Sequence, residues 1–213
     1  MSTGFQVSTG RGLAALRRLK SRQPAPERCE LCASTIPDEH QHLVDPGNRR
    51  LLCVCGACAI LFDHAGITQY RRVPRDVRAL TFDIDDQSWS RLSIPISLVF
   101  FFRSSVSGTV MALYPSPAGP TEGSVDEETW EDLASVHPAL SGLRADVEAL
   151  LVKRVKASRE YYIVPIDECY KLTGVIRRHW QGFLGGDAAW QRIDGFFADL
   201  KQRARPEGAG VHA

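Results

Sequence analysis

Five of the six cysteines lie between residues 29 and 58, in the segments ERCELC and CVCGAC. Their spacing is C-x2-C, twenty residues, then C-x-C-x2-C. Two thiolates that are two residues apart can reach one ion from a single tight turn. A second pair, returned by a loop, completes a tetrahedron with Zn–S bonds of about 2.3 Å. The spacing therefore predicts a metal site, with zinc as the preferred ion.

The predicted ligands are Cys29, Cys32, Cys55 and Cys58. The segment GACAILFDHAG, which follows Cys55, is predicted to be helical, and the partial positive charge at its N-terminus favours thiolates there. Cys53 and Cys55 would point to the same side of a strand, so Cys53 is a substitute ligand for Cys55, a neighbour or a spare. A turn with two cysteines followed by a pair at a helix start resembles the treble-clef zinc fold.

Two other uses of the thiols stay open. Thiolates also hold iron–sulfur clusters, and a fifth nearby cysteine is unusual for a plain zinc site. Thiol–disulfide exchange without a metal is the other alternative. A zinc site with four protein ligands would be structural, because it contributes free energy to folding and leaves no position for a substrate.

The stretch between the cysteine pairs carries polar residues that resemble those of the HNH nucleases, where a histidine on such a zinc scaffold activates water. These residues are His40, His42, Asp45 and Asn48. HNH nucleases usually place another histidine directly after the second pair, whereas this chain has Ala59 there and His64 further on. The resemblance therefore implies a degenerate scaffold. The polar neighbours of His40 and His42 predict a surface loop instead.

We expect a cytoplasmic protein without membrane insertion. No apolar run reaches the roughly 18 residues that a membrane helix needs, and the longest, IPISLVFFF, is interrupted by Pro95. The N-terminal segment lacks the order of charged, apolar and small residues that defines a secretory signal. In a reducing cytosol, clustered cysteines bind metals or catalyse reactions more readily than they form disulfides.

The net charge of +1 hides an asymmetry along the chain. Residues 1–78 carry 12 Lys or Arg and 7 Asp or Glu, a charge of +5, and the remainder carries 14 and 18, a charge of −4. The basic segments have no interleaved aromatic residues, and the pI of 7.7 is below the value of about 9 that is typical of nucleic-acid-binding domains. Nucleic acid is therefore a disfavoured partner, although a remnant HNH module would predict salt-dependent DNA binding.

Composition divides the chain into four segments. They are a flexible basic arm (1–27), a Cys-rich metal-binding module (28–77), an α+β domain (78–203) and a disordered tail (204–213). We expect an α+β fold in which a small zinc module with four cysteine ligands, similar to a treble clef, precedes a mixed or antiparallel sheet with packed helices.

Within residues 78–203, IPISLVFFFR and TVMALYP predict a β-hairpin that turns at Gly108, and EYYIVPI predicts a strand. Helices are predicted over SVDEETWEDLA, DVEALLVKRV, ECYKLTGVIRRHW and residues 187–204. Ser124 and Glu127 have capping-box spacing at the first of them. The acidic residues around Glu122 would repel phosphate and suit a basic partner or the chain's own basic module.

No catalytic residues are predicted. Cys169 and His179 would lie about 15 Å apart on one helix, outside hydrogen-bond reach, and Cys169 fits a small core position. The chain contains no G-x-G-x-x-G, G-x-S-x-G or H-E-x-x-H motif.

Several segments together resemble an uncharacterised bacterial family whose genes recur beside those of [NiFe]-hydrogenases. The segments are ERCELC, RRLLCVCGAC, ALYPSPAGPTEG, DVEALLVKR and YYIVPIDECYKLTGVIRRHWQGFLGGDAAW, which span about residues 28–200. The resemblance implies a non-catalytic accessory protein that contacts a hydrogenase subunit or maturation factor. A redox carrier for the same system, with an iron–sulfur cluster or exchanging thiols, is the alternative.

Overall fold

The computed structural model describes residues 26–63, 69–94, 96–155, 158–182 and 185–206. In these ranges it contains two β-sheets with helices packed on them, so the predicted α+β class is confirmed. The arm predicted over residues 1–27 lies outside the described residues as far as residue 25.

The Cys-rich module is built on a three-stranded antiparallel sheet. Its elements are β1 (Gln41–Asp45), β2 (Arg50–Val54), α1 (Gly56–Leu61) and β3 (Arg71–Arg72), and the strand order is β2-β1-β3. Side chains alternate between the faces of a strand. Leu43 of β1 therefore packs with the cysteines on one face, while Val44 packs into the core of the following domain on the other. The small sheet thus lies between the cysteines and that domain.

The second domain is a seven-stranded sheet with the order β10-β4-β9-β8-β5-β6-β7. Its strands are β4 (Arg78–Ala79), β5 (Leu98–Arg103), β6 (Val110–Tyr114), β7 (Thr121–Ser124), β8 (Glu148–Val155), β9 (Ser158–Pro165) and β10 (Arg205–Pro206). All neighbours pair antiparallel except β10 and β4. The helices are α2 (Asp86–Arg91), α3 (Glu127–Val136), α4 (Pro138–Ser141), α5 (Ile166–His179) and α6 (Gly186–Arg203).

Each face of this sheet has its own apolar core. Phe100 and Leu151 point to the face covered by α5 and α6, and this core also takes in Val44 and Val73 of the Cys-rich module. Phe101 and Leu150, their neighbours in sequence, point to the opposite core with Trp130 of α3. The Cys-rich module is therefore attached to the face that carries the last two helices.

The helix predicted over DVEALLVKRV is wrong, because that segment forms β8, between β9 and β5 at the centre of the sheet. Both faces of β8 are covered, so its apolar residues run continuously and do not alternate with polar ones. Such a run cannot be told from a buried helix by periodicity alone.

Other elements follow the predictions more closely. The hairpin of β5 and β6 is confirmed, with Gly108 at a φ of +74°. The helix start after the Pro/Gly loop is shifted: Asp126, not Ser124, is the N-cap, and its carboxylate accepts from the amide of Thr129 at 2.8 Å. The tail predicted to be disordered from residue 204 begins with the short strand β10, and residues 207–213 lie outside the described residues.

Candidate metal centre

The first cysteine pair lies in a tight turn. The amide of Cys29 donates to the carbonyl of Ser34 and the amide of Ala33 donates to the carbonyl of Cys29, both at 2.8 Å. Ala33 has a φ of +61°, which lets the chain reverse directly after Cys32. The turn therefore brings the side chains of Cys29 and Cys32 to the same side.

The second pair is positioned by the start of α1. Cys55 is the N-cap residue of this helix, and its sulfur accepts from the amide of Cys58 at 3.4 Å. The predicted helix after the second pair is confirmed, although it ends at Leu61, before the end of the predicted segment. Cys58 lies one turn inside the helix and is buried.

The two pairs converge. The sulfurs of Cys29, Cys32, Cys55 and Cys58 all lie within 4.8 Å of one another, and those of Cys32 and Cys55 are 3.7 Å apart. A tetrahedron with metal–sulfur bonds of about 2.3 Å has edges of about 3.8 Å. These four residues, which we call the four-cysteine cluster, therefore have the dimensions to hold one metal ion.

Glu30 fixes the first turn against the strand that precedes the second pair. Its carboxylate accepts from the amide of Cys53 at 2.8 Å, and its own amide donates to the carbonyl of Cys53 at 2.9 Å. Arg50 makes an ion pair with the same carboxylate. These contacts hold the two halves of the four-cysteine cluster in register across twenty residues of sequence.

The electrostatics of the cluster favour a cation. Burial alone would raise the pKa of Cys29, but amides of Cys55, Cys32 and Leu31 donate to its sulfur and lower the pKa to about 6. The pKa of Cys55 is also lowered, chiefly by the amide of Cys58. Burial and the neighbouring sulfurs raise the pKa of Cys58. Four thiolates this close together would repel one another without a cation. A bound divalent ion would offset their negative charge.

Cys53, the substitute ligand of the sequence analysis, lies elsewhere. It is opposite His42 in the β1–β2 register, and its sulfur groups within 4.8 Å of His40 and His42. The surface loop predicted for these histidines is wrong for His42, which lies in β1, whereas His40 lies in the loop that precedes this strand. The alternation of His40 and His42 at the start of an apolar strand pattern could have indicated from the sequence that the two lie together. The strand register that brings Cys53 to them could not be predicted from the sequence.

Asp45 and Asn48, the other residues in the HNH resemblance, shape the turn between β1 and β2. Asp45 accepts from the amide of Gly47 at 3.0 Å and from the side chain of Asn48 at 3.2 Å, and Asn48 accepts from the amide of Arg50 at 2.9 Å. They are therefore structural residues of this turn. His64 lies outside the described residues.

The remaining sequence candidates have structural positions. Cys169 is fully buried in the core under α5, as predicted, and burial raises its pKa well above the usual value. His179 is the last residue of the same helix. Glu122, which lies in β7, makes an ion pair with Arg49, so part of the acidic edge meets the chain's own Cys-rich module.

The fold and the cluster together define an α+β protein with four cysteines arranged to hold a metal ion. In the described residues, no helix combines the length and apolarity needed to cross a membrane. The sequence matches the Family of unknown function (DUF5947) over residues 28–204, and the chain belongs to this family. The match begins one residue before the first metal-site cysteine and ends at the close of α6. Searches of curated proteins and of solved structures found no match to the chain.

Proposed function

We propose that this protein is a non-catalytic, zinc-binding accessory factor that docks onto a subunit or maturation factor of a [NiFe]-hydrogenase. The observation that carries the metal-binding role is the convergence of four cysteine sulfurs within 4.8 Å. Four protein ligands fill a tetrahedral zinc site, so the bound ion would shape the protein and leave no position for a substrate. This favours a structural role at the four-cysteine cluster.

The composition of the cluster supports zinc over an iron–sulfur cluster. Cys53, which made the count of cysteines unusual for zinc, is grouped with the two histidines instead. Four thiolates around one point are typical of structural zinc sites. The measurement is the metal content and absorption spectrum of protein purified without oxygen. We expect one zinc ion at the four-cysteine cluster and no colour, whereas stoichiometric iron with absorption in the visible would replace this proposal by the redox-carrier alternative.

The docking role is supported by the surface next to the cluster. Ile60 and Leu61 are the last two residues of α1, and they are 65% and 64% exposed. Adjacent exposed apolar side chains are suited to a protein partner. The hydrogenase system as the source of this partner rests on the sequence resemblance described above.

The partner is tested by affinity capture from cells that express a hydrogenase operon. The wild-type chain is compared with Ile60→Ser/Leu61→Ser and with a control, Val136→Ser, which changes another exposed apolar residue, at 66% exposure, on α3. We expect wild type and control to retain a hydrogenase subunit or maturation factor and the double variant to lose it. Failure of wild type to retain any such protein would contradict the hydrogenase assignment.

A further inference from the structure

A second constellation of metal-binding side chains lies on the opposite face of the small sheet from the four-cysteine cluster. His40, His42 and Cys53 offer ligand atoms that all lie within 4.8 Å of one another. His40 and His42 are two residues apart and so point to the same side of the chain, and Cys53 is the cross-strand partner of His42. We call these three residues the His–Cys cluster.

The hydrogen bonds of the two histidines determine which nitrogen is available. Nδ1 of His40 lies 2.9 Å from the carbonyl oxygen of Pro37, and Nδ1 of His42 lies 2.8 Å from a carboxylate oxygen of Asp167. A carbonyl and an ionised carboxylate only accept hydrogen bonds, so Nδ1 carries the hydrogen in both rings. In the neutral imidazole, Nε2 then keeps a free lone pair. This is the tautomer that binds metals through Nε2, with an oxygen acceptor behind the ring.

One of these nitrogens is buried without a partner. The His40 side chain is only 8% exposed, and its Nε2 has no hydrogen-bond partner. Buried polar atoms are nearly always paired in folded proteins, so an orphan of this kind points to a missing ligand. The described residues contain four such atoms, and three of them, on His40, Asp167 and Glu168, belong to residues that line one cleft.

That cleft lies between the Cys-rich module and the start of α5, with a volume of about 670 Å³. Both histidines line it, together with Asp167 and with the cationic residues Arg75 and Lys171. The His–Cys cluster supplies three ligands, and a fourth position would be reached from the cleft. Three protein ligands and one open position are the pattern of zinc sites that bind water or an exogenous ligand.

We propose that His40, His42 and Cys53 bind a second divalent transition-metal ion, of the zinc class, with an open coordination position facing the cleft. Two imidazoles and a thiolate suit zinc and its borderline neighbours and do not suit calcium or magnesium. Ligands in a tetrahedral zinc site of this composition lie roughly 3.3–3.8 Å apart, which small side-chain rotations would achieve from the observed spacing. Asp167 would be a positioning residue that orients His42.

The proposal for the His–Cys cluster does not rest on the structural role proposed for the four-cysteine cluster. One experiment tests the two proposals separately. The full-length chain is stripped with a chelator, reloaded with Zn²⁺ and dialysed, and the zinc ions per chain are counted. A parallel titration with Co²⁺ follows the absorption spectrum of each site. We expect two ions per wild-type chain. In His40→Ala/His42→Ala we expect one ion, with the spectrum of the four-cysteine cluster unchanged.

The matched control is His179→Ala, which removes a histidine at the far end of α5 and should keep two ions. Asp167→Asn should weaken binding at the His–Cys cluster about 10- to 100-fold and leave Co²⁺ binding at the four-cysteine cluster unchanged. Saturation of the wild type at one ion in the four-cysteine cluster, or two ions in the histidine double variant, would overturn the proposal.

Discussion

The Cys-rich module and the α+β domain are held together by different means. In the described residues, the module's own core has seven buried members, and two of them are the cysteines Cys29 and Cys58. The two cores of the α+β domain have twenty and seventeen, and the larger one includes Val44, Val73 and Val77 of the module; the large aromatic residues Phe100, Phe101, Phe197 and Trp130 are almost fully buried in them. The apolar area that the module removes from water is therefore far smaller.

The smaller core of the Cys-rich module indicates that a bound metal would contribute more to the stability of the module than to that of the α+β domain. Chains below about 40 residues usually need a metal, a disulfide or a partner surface to fold, and the module at residues 28–77 is only a little longer. The cysteines of the module are free thiols, so a disulfide does not perform this role. A metal ion at the four-cysteine cluster, as proposed above, and the packing of Val44 and Val73 in the large core would then add to the stability of the module.

The largest expected effect follows from Cys32→Ser. Removing one ligand should empty the four-cysteine cluster, and structural zinc sites contribute about 10–16 kcal/mol of apparent binding free energy to folding. We expect the module to lose its protection from hydrogen exchange, while β5 and β8 keep theirs. The measurement is hydrogen exchange resolved by peptide, with zinc content determined on the same sample.

A convenient probe separates the two regions in this test. All four tryptophans, Trp89, Trp130, Trp180 and Trp190, lie in the α+β domain. Their fluorescence should therefore be nearly unchanged in Cys32→Ser and in chelator-treated wild type. Equal zinc loading in wild type and Cys32→Ser would contradict the choice of ligands.

Phe101→Ala is the reciprocal change. Phe101 is fully buried, and its ring centroid lies 5.4 Å from that of Trp130. Truncation of a buried phenylalanine costs about 3–5 kcal/mol. In urea unfolding measured by tryptophan fluorescence, we expect the midpoint to move to a lower urea concentration and the free energy of unfolding to fall by that amount. Zinc content should stay at the wild-type level below the transition, and a loss of zinc would show that the two regions depend on each other more closely.

In each of the two regions, one feature could be predicted from the sequence. The four-cysteine cluster was predictable because coordination chemistry restricts the spacing of its ligands, and Cys29, Cys32, Cys55 and Cys58 meet as that spacing requires. The hairpin around Gly108 was predictable because a short turn segment with a glycine separates two apolar runs of strand length. In both cases the information is local.

The features that were predicted wrongly or missed depend on contacts between segments that are distant in the sequence. β8 was predicted as a helix because the burial of both its faces results from two separate cores. The His–Cys cluster was missed because it requires the β1–β2 register, and His42 meets Asp167 only when α5 packs beside the small sheet. Sequence spacing carries neither of these relations.

Cys169→Ser should have a smaller effect than either change above and should leave both metal clusters unaltered. Cys169 is fully buried between α5 and the sheet, and a hydroxyl placed there would lose its hydrogen bonds to water. Burying an unpaired hydroxyl costs about 1–3 kcal/mol. Urea unfolding should show this loss at unchanged zinc content. A fall in zinc would mean that the sixth cysteine takes part in metal binding.

The smallest expected effect concerns Glu160 of the α+β domain, whose carboxylate pairs with Lys153. Lys153 lies 3.1 Å from Glu160 and 2.9 Å from Asp194, and its side chain is only 9% exposed. Burial alone would raise the pKa of Glu160, but donation from Lys153 and Ser158 lowers it below the usual value. A carboxylate with a lowered pKa stabilises the folded state above the pKa of the unfolded chain, near about 4.3. That contribution is lost as the pH falls through the lower folded value.

Glu160→Gln tests this contribution without changing the size of the side chain. We expect a loss of about 1 kcal/mol at pH 7, because partly exposed ion pairs contribute little. The difference between wild type and variant should shrink as the pH falls below about 4. Tryptophan fluorescence measures it in the α+β domain alone, so release of metal from the module in acid does not interfere. A difference that stayed constant down to about pH 3 would show that packing of Glu160, and not its charge, stabilises this strand.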